Sequence, residues 1–140
     1  METSGATYNK NDRVSLYRCW DNSLPSINIL MYYPSTANAK TDDTTIKRCI
    51  SISKKNGYGS IHVFNIHEDV FLLTEEFKKN KNLVIAWGSK ISISESKKKI
   101  NQLMKNYKLL CFKKLKDGRP SLPTRLPNET KIQSFFDEEE

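Results

Sequence analysis

The sequence predicts an α/β fold built on a mostly parallel sheet with helices on both faces, and three observations carry that expectation. Four apolar runs, at residues 27–32, 60–65, 83–87 and 108–115, have the length of buried central strands. The segments between them place apolar residues at helical rather than alternating spacing, with turn residues at their ends. No internal repeat or low-complexity linker interrupts the order, and β alternating with α at this spacing is the pattern of parallel strands joined by crossover helices.

The elements follow in order. Residues 1–12 are polar and read as a flexible N-terminus. Residues 13–20 alternate Val14, Leu16 and Arg18 against Ser15, Tyr17 and Cys19, a short strand, and Asp21-Asn22-Ser23-Leu24-Pro25 is turn chemistry. The run INILMY at 27–32 is broken by Pro34-Ser35-Thr36-Ala37-Asn38. Thr41, Asp42 and Asp43 offer N-cap oxygens to a helix whose inward face is Ile46, Cys49, Ile50 and Ser53 and which Gly57 closes. A second strand, SIHVFN at 60–65, leads to a short helix over 70–80 with Phe71, Leu72 and Phe77 inward. LVIAW at 83–87 is the third central strand. Ser92 and Glu95 have capping-box spacing and open a helix to about residue 106, with Ile100, Leu103, Met104 and Tyr107 on its apolar side. KLLCFKKL at 108–115 is the last strand.

Bulk properties narrow the function classes. The 140 residues make one domain, able to bury roughly two thirds of its unfolded surface. No apolar run approaches the roughly 20 residues of a membrane-spanning helix, and the polar start METSGATYNKNDR has no signal-peptide core, so a cytoplasmic protein without a membrane partner is expected. Cys19, Cys49 and Cys111 are widely spaced and lack a CxxC pair, so they read as reduced and buried, with no metal site and no cofactor implied. The 23 Lys and Arg exceed the 16 Asp and Glu by seven, and the excess is concentrated. Between Lys97 and Arg119 stand nine basic residues against the single acid Asp117, a local charge of +8. Lys97, Lys98, Lys99, Lys113, Lys114, Lys116 and Arg119 are therefore candidate nucleic-acid contacts, since such a run concentrates polyanions. A solvated lysine-rich face is the plain alternative. Residues 128–140 invert the sign, with five acids against Lys131, and read as an acidic C-terminal tail in which Phe135-Phe136 is a candidate docking peptide.

The strand ends carry the candidate chemistry, because open α/β sheets bind ligands there. Ser35 and Thr36 precede the first helix and are candidate phosphate donors, with turn chemistry as the alternative. Tyr32 and Tyr33 are candidate stacking platforms for a base, and Trp87 beside Gly88 is placed to line a pocket. Taken together, MYYPSTANAKTDDTTIKRC at 31–49, GYGSIHVFN at 57–65, VIAWG at 84–88 and DGRPSLPTRLP at 117–127 resemble the bacterial domain-of-unknown-function family 1643, over about 13–127. That family in turn is similar to the uracil-DNA glycosylase-like superfamily. The resemblance implies a three-layer α/β/α sandwich around a four-stranded, mostly parallel sheet, spanning residues 13–127.

It also implies roles. In such enzymes an amide reads the flipped base, an Asp or Asn positions water, and a His stabilises the departing base anion. By resemblance these roles fall on Asn65, Tyr33 and Leu122. The amide is kept, but a phenol with a pKa near 10 is a poor base at neutral pH, and a leucine has no donor. Loss of one preorganised donor costs about two to three orders of magnitude in rate, so losing two roles leaves little activity. His62 and His67 flank Asn65, and His67 is the candidate replacement donor. The expected function is therefore binding of single- or double-stranded DNA by a glycosylase-like protein without efficient base excision. The alternatives are an active divergent glycosylase or nucleobase hydrolase, and an interaction protein that docks an acidic or DNA-mimicking partner.

Overall fold

The computed structural model describes residues 3–9, 12–32, 43–66 and 75–136. Its strands are β1 (Thr3–Asn9), β2 (Asp12–Cys19), β3 (Ser26–Met31), β4 (Ser60–Asn65), β5 (Asn82–Ile85), β6 (Lys108–Cys111) and β7 (Gln133–Ser134). They form one mixed sheet in the order β1-β2-β4-β3-β5-β6-β7. The four central strands β4, β3, β5 and β6 run parallel, while β1 and β2 on one side and β7 on the other pair antiparallel. Among the described residues three α-helices, α1 (Thr44–Lys55), α2 (Glu75–Lys79) and α3 (Ile93–Leu103), connect them.

Strand alternation divides the core between the two sheet faces. Ile27, Ile29, Met31, Ile61, Val63 and Val84 point to one face, where Ile46, Cys49 and Ile52 of α1 cover them. Leu30, Phe64, Leu83, Ile85 and Leu109 point to the other, under Phe77 of α2 and Ile100 and Leu103 of α3. Every residue of 27–31 in β3 is buried, which is why its sequence is a continuous apolar run rather than an alternating one. Its one polar member, Asn28, is satisfied: Nδ2 donates to the Glu76 carbonyl at 2.9 Å, and Asn80 Nδ2 donates to the Ser26 carbonyl at 2.9 Å. These two bonds fix short α2 across β3, and Phe77 meets Phe64 edge-on at 5.2 Å.

Both long helices start where side-chain caps are available. Asp43 Oδ1 accepts from the Ile46 N–H at 2.9 Å, and Ser92 Oγ accepts from the Glu95 N–H at 3.1 Å. Gly57, at φ +87°, follows the end of α1. The inward face of α1 includes Ile52, with Ile50 half-buried, because the helix is rotated so that 46, 49, 52 and 53 meet the sheet. Met104 is exposed, since α3 ends at Leu103 and the chain turns there. None of the three cysteines takes part in a disulfide, and all are buried. Desolvation raises the Cys49 thiol pKa far above its usual range, leaving it protonated and unreactive. Among the described residues no helix is long and apolar enough to cross a membrane.

Four expectations about the elements need correction. Among the described residues the sheet has seven strands rather than four, because antiparallel strands extend both of its sides. The segment 1–12, read as flexible, contains β1, whose small and polar residues TSGATYN lack an apolar signal because the strand lies at an edge and takes its order from pairing with β2. The segment 128–140, read as a tail, contains β7 and the buried Phe135, whose N–H donates to the Leu109 carbonyl at 2.9 Å. Asn56 holds that segment in place, as Nδ2 donates to the Ile52 and Thr130 carbonyls and Oδ1 accepts from the Ile132 N–H. The final strand also stops at Cys111, after which the chain folds into a turn.

Candidate functional site

The parallel strands place β3, the first in chain order, between β4 and β5. The chain therefore leaves β3 toward one side of the sheet and later returns to pair on the other side. Helix α1 after β3 covers one face and α3 after β5 covers the opposite face, so the carboxyl ends of β3 and β5 diverge at a topological switch point. A cleft of about 480 Å³ lies at that edge, within the size range of small-ligand sites. Tyr32 enters it from the end of β3 and Thr45 from the first turn of α1. Gly88, Ser89 and Lys90 come from the 3-10 turn after β5, and Leu115, Ser121, Leu122, Thr124 and Arg125 from the segment after β6.

The local sequence explains how this wall is built. The Ala86 N–H still bonds to the Leu30 carbonyl at 2.9 Å, after which the backbone leaves the ladder at Trp87 and turns at Gly88 with φ +61°. A Cβ on Gly88 would stand 2.9 Å from Leu122 Cγ, so only glycine allows the two loops to pack so closely. The Gly88 N–H donates to the Pro120 carbonyl at 2.6 Å. Beyond β6, the Leu115 N–H bonds to the Arg119 carbonyl and the Ser121 N–H to the Lys113 carbonyl, closing a hairpin-like turn. Arg119 grips Asp117, with Nη2 to Oδ2 at 2.6 Å and Nε to both carboxylate oxygens at 3.1 Å, and its Nη1 donates to the Ile91 carbonyl at 2.9 Å. These bonds hold the Asp117 carboxyl below the usual carboxylate range and tie the turn to the end of the 3-10 segment.

The sequence candidates are dispersed by this geometry. Tyr32 and Leu122 line the cleft, but Tyr33, Ser35, Thr36 and His67 lie outside the described residues. Trp87 is fully buried behind the cleft, its indole N–H donating to Ser96 Oγ at 2.9 Å, and is not among the lining residues. Asn65 ends β4 opposite Met31, is 5% exposed and points to the sheet face that α1 covers. Arg119 is committed to Asp117 and the Ile91 carbonyl. Lys113 and Lys116 are exposed beside the cleft loop, and Lys114 lies over the Phe135 ring at 4.6 Å. Lys97, Lys98 and Lys99 sit along α3, with Lys98 near Glu95 at 3.9 Å. The basic run in sequence is therefore divided among the α3 surface, both ends of β6 and the turn beyond it.

Two cations in the cleft, Lys90 and Arg125, fall outside the run from Lys97 to Arg119 and are missed by counting charge along the chain. Their signal is position: one follows the Trp-Gly strand end directly, and the other sits in the proline-rich loop. Thr45, Ser89, Ser121 and Thr124 add hydroxyls, and the first turn of α1 contains no acid. The arrangement can hold an anionic group by charge and hydrogen bonding beside an aromatic face at Tyr32. Among the described residues no group of three His, Cys, Asp or Glu could hold a metal ion.

The model of DUF1643, a family of proteins of unknown function, matches residues 13–71. That span contains β3, α1 and β4, and with them Tyr32 and Thr45, whereas the remaining cleft residues lie beyond it. No curated protein and no solved structure matches the chain.

Proposed function

We propose that this protein binds nucleic acid through the carboxyl-edge cleft, accommodating a nucleotide whose phosphate meets Lys90 and Arg125 while its base faces Tyr32. In this reading the chain is a uracil-DNA glycosylase-like scaffold that has lost efficient base excision. The observation that carries the proposal is the cleft at the β3–β5 switch point, where two cations, four hydroxyls and an aromatic ring converge in about 480 Å³. The loss of excision is supported by Leu122, an apolar side chain in the cleft wall where the resemblance calls for an imidazole. Asn65, the amide that the resemblance assigns to base reading, is buried against the α1 face, where holding the strand end is its simplest role.

Binding of labelled single- and double-stranded oligonucleotides at low and moderate salt, with uracil release measured on the same preparations, tests both parts. Salt-sensitive binding without uracil release is expected. Robust uracil turnover overturns the loss of excision, and absence of oligonucleotide binding at low salt overturns the nucleic-acid reading in favour of an acidic protein partner.

A further inference from the structure

A second cleft, of about 360 Å³, lies on the other side of the sheet from α1, away from the carboxyl-edge site. Its lining comes from three adjacent strands and the start of α2. Tyr17 of β2 and His62 of β4 are cross-strand partners with ring centroids 4.4 Å apart, and Phe64 stacks on His62 at 6.0 Å. Gly5 of β1 stands opposite Tyr17, and the space a Cβ would enter there is open. Glu75 and Glu76 stand in the first turn of α2 beside these rings, and both line the cleft. Burial lowers the His62 pKa while the nearby Glu76 carboxylate acts in the opposite direction, so the ring is neutral at pH 7 and does not repel a cation.

From the meeting of three aromatic rings with two carboxylates around an open floor, we propose that this cleft binds an organic ammonium group. Because His62 is packed against Tyr17 and Phe64, and Phe64 is buried, the cation would sit over the open floor at Gly5 against the free face of Tyr17, with Glu76 and Glu75 balancing its charge. The chemistry is that of an alkyl- or methylammonium, whether a free amine or a lysine side chain of a partner protein.

The test is an NMR titration of the full chain with choline, spermidine, N-acetyl-lysine methylamide and its trimethylated form, with 3,3-dimethylbutanol as the uncharged isostere of choline. At least one cation is expected to saturate in the millimolar range or below, shifting resonances of Gly5, Tyr17, His62 and Phe64. The isostere should bind about tenfold more weakly. Tighter binding of the free amines assigns the cleft to a metabolite, and tighter binding of the lysine compounds assigns it to a protein partner. Glu76→Gln, at an exposed position, should reduce affinity about tenfold without changing the melting temperature. Gly5→Leu should fill the cleft and abolish binding. Equal affinity for choline and its isostere, shifts confined to other residues, or no saturation by any cation overturns the proposal.

Discussion

Gly88→Ala perturbs the structure where the two loops of the carboxyl-edge cleft meet. Alanine at φ +61° costs about 1–2 kcal/mol from backbone sterics alone. The added Cβ would lie 2.9 Å from Leu122 Cγ and 3.3 Å from its Cδ1, and the nearest backbone atom of Leu122, its N, is 3.5 Å away. The branch carbon of leucine moves only with the rest of the side chain, so the contact adds about 1–2 kcal/mol of overpacking. A total near 2–4 kcal/mol corresponds to a fall in melting temperature of about 6–20 °C for a domain of this size. Leu122→Ala removes the atoms that the new Cβ meets, and alone it should cost about 1–2 kcal/mol because Leu122 is only half-buried. The double variant should then be more stable than the sum of the single effects by about 1–2 kcal/mol. Urea denaturation of wild type, both single variants and the double variant measures this directly. Additivity within about 0.5 kcal/mol would refute the claim that Gly88 is required by its contact with Leu122.

Further consequences follow from individual contacts. Ser96→Ala should cost about 1–3 kcal/mol by stranding the buried Trp87 indole N–H, a loss visible in denaturant midpoint together with a change in tryptophan fluorescence. Asn56→Ala removes three hydrogen bonds and should raise amide exchange selectively over residues 130–135, while β3 stays protected. His62 has a pKa lowered by burial, so the unfolded chain binds the extra proton first; stability is fully present above pH of about 6.5 and declines as pH falls through that value toward the lower folded pKa. His62→Gln should flatten that part of the stability profile, as measured by melting temperature from pH 7 to pH 5.

The central elements were legible because their burial is written in composition. Ser60–Asn65 appears in the structure with the bounds its apolar run predicts, and the Ser92–Glu95 cap opens α3 as its spacing implies. The edge strands were not legible for the same physical reason. β1 contributes small and polar residues, and β7 is two residues long, so their order comes from pairing with β2 and β6 rather than from local pattern. Phe135 looked like an exposed anchor because acids follow it, yet it fills the core beneath β6. The cleft was legible as a location but not as a set of residues. The strand end pointed to Tyr32 and the resemblance to Leu122, whereas Lys90, Arg125 and Thr45 become neighbours only once the switch point brings the ends of β3 and β5 together with the loop after β6. Charge density along the chain favoured Lys97–Lys99 and Arg119, and the fold spreads the former along a helix and engages the latter with Asp117.

The central claim, that Lys90 and Arg125 make the cleft a phosphate-binding surface, is tested most directly by the salt dependence of oligonucleotide binding. Anisotropy of a labelled single-stranded oligonucleotide is measured across salt concentrations for wild type and for the Lys90→Gln, Arg125→Gln double variant. Each phosphate contact contributes about 0.7 to the log–log slope on single strands, so removing two should make the slope shallower by about 1.4 and weaken binding roughly tenfold near physiological salt. Parallel plots for the two proteins, with equal affinity, would contradict the account.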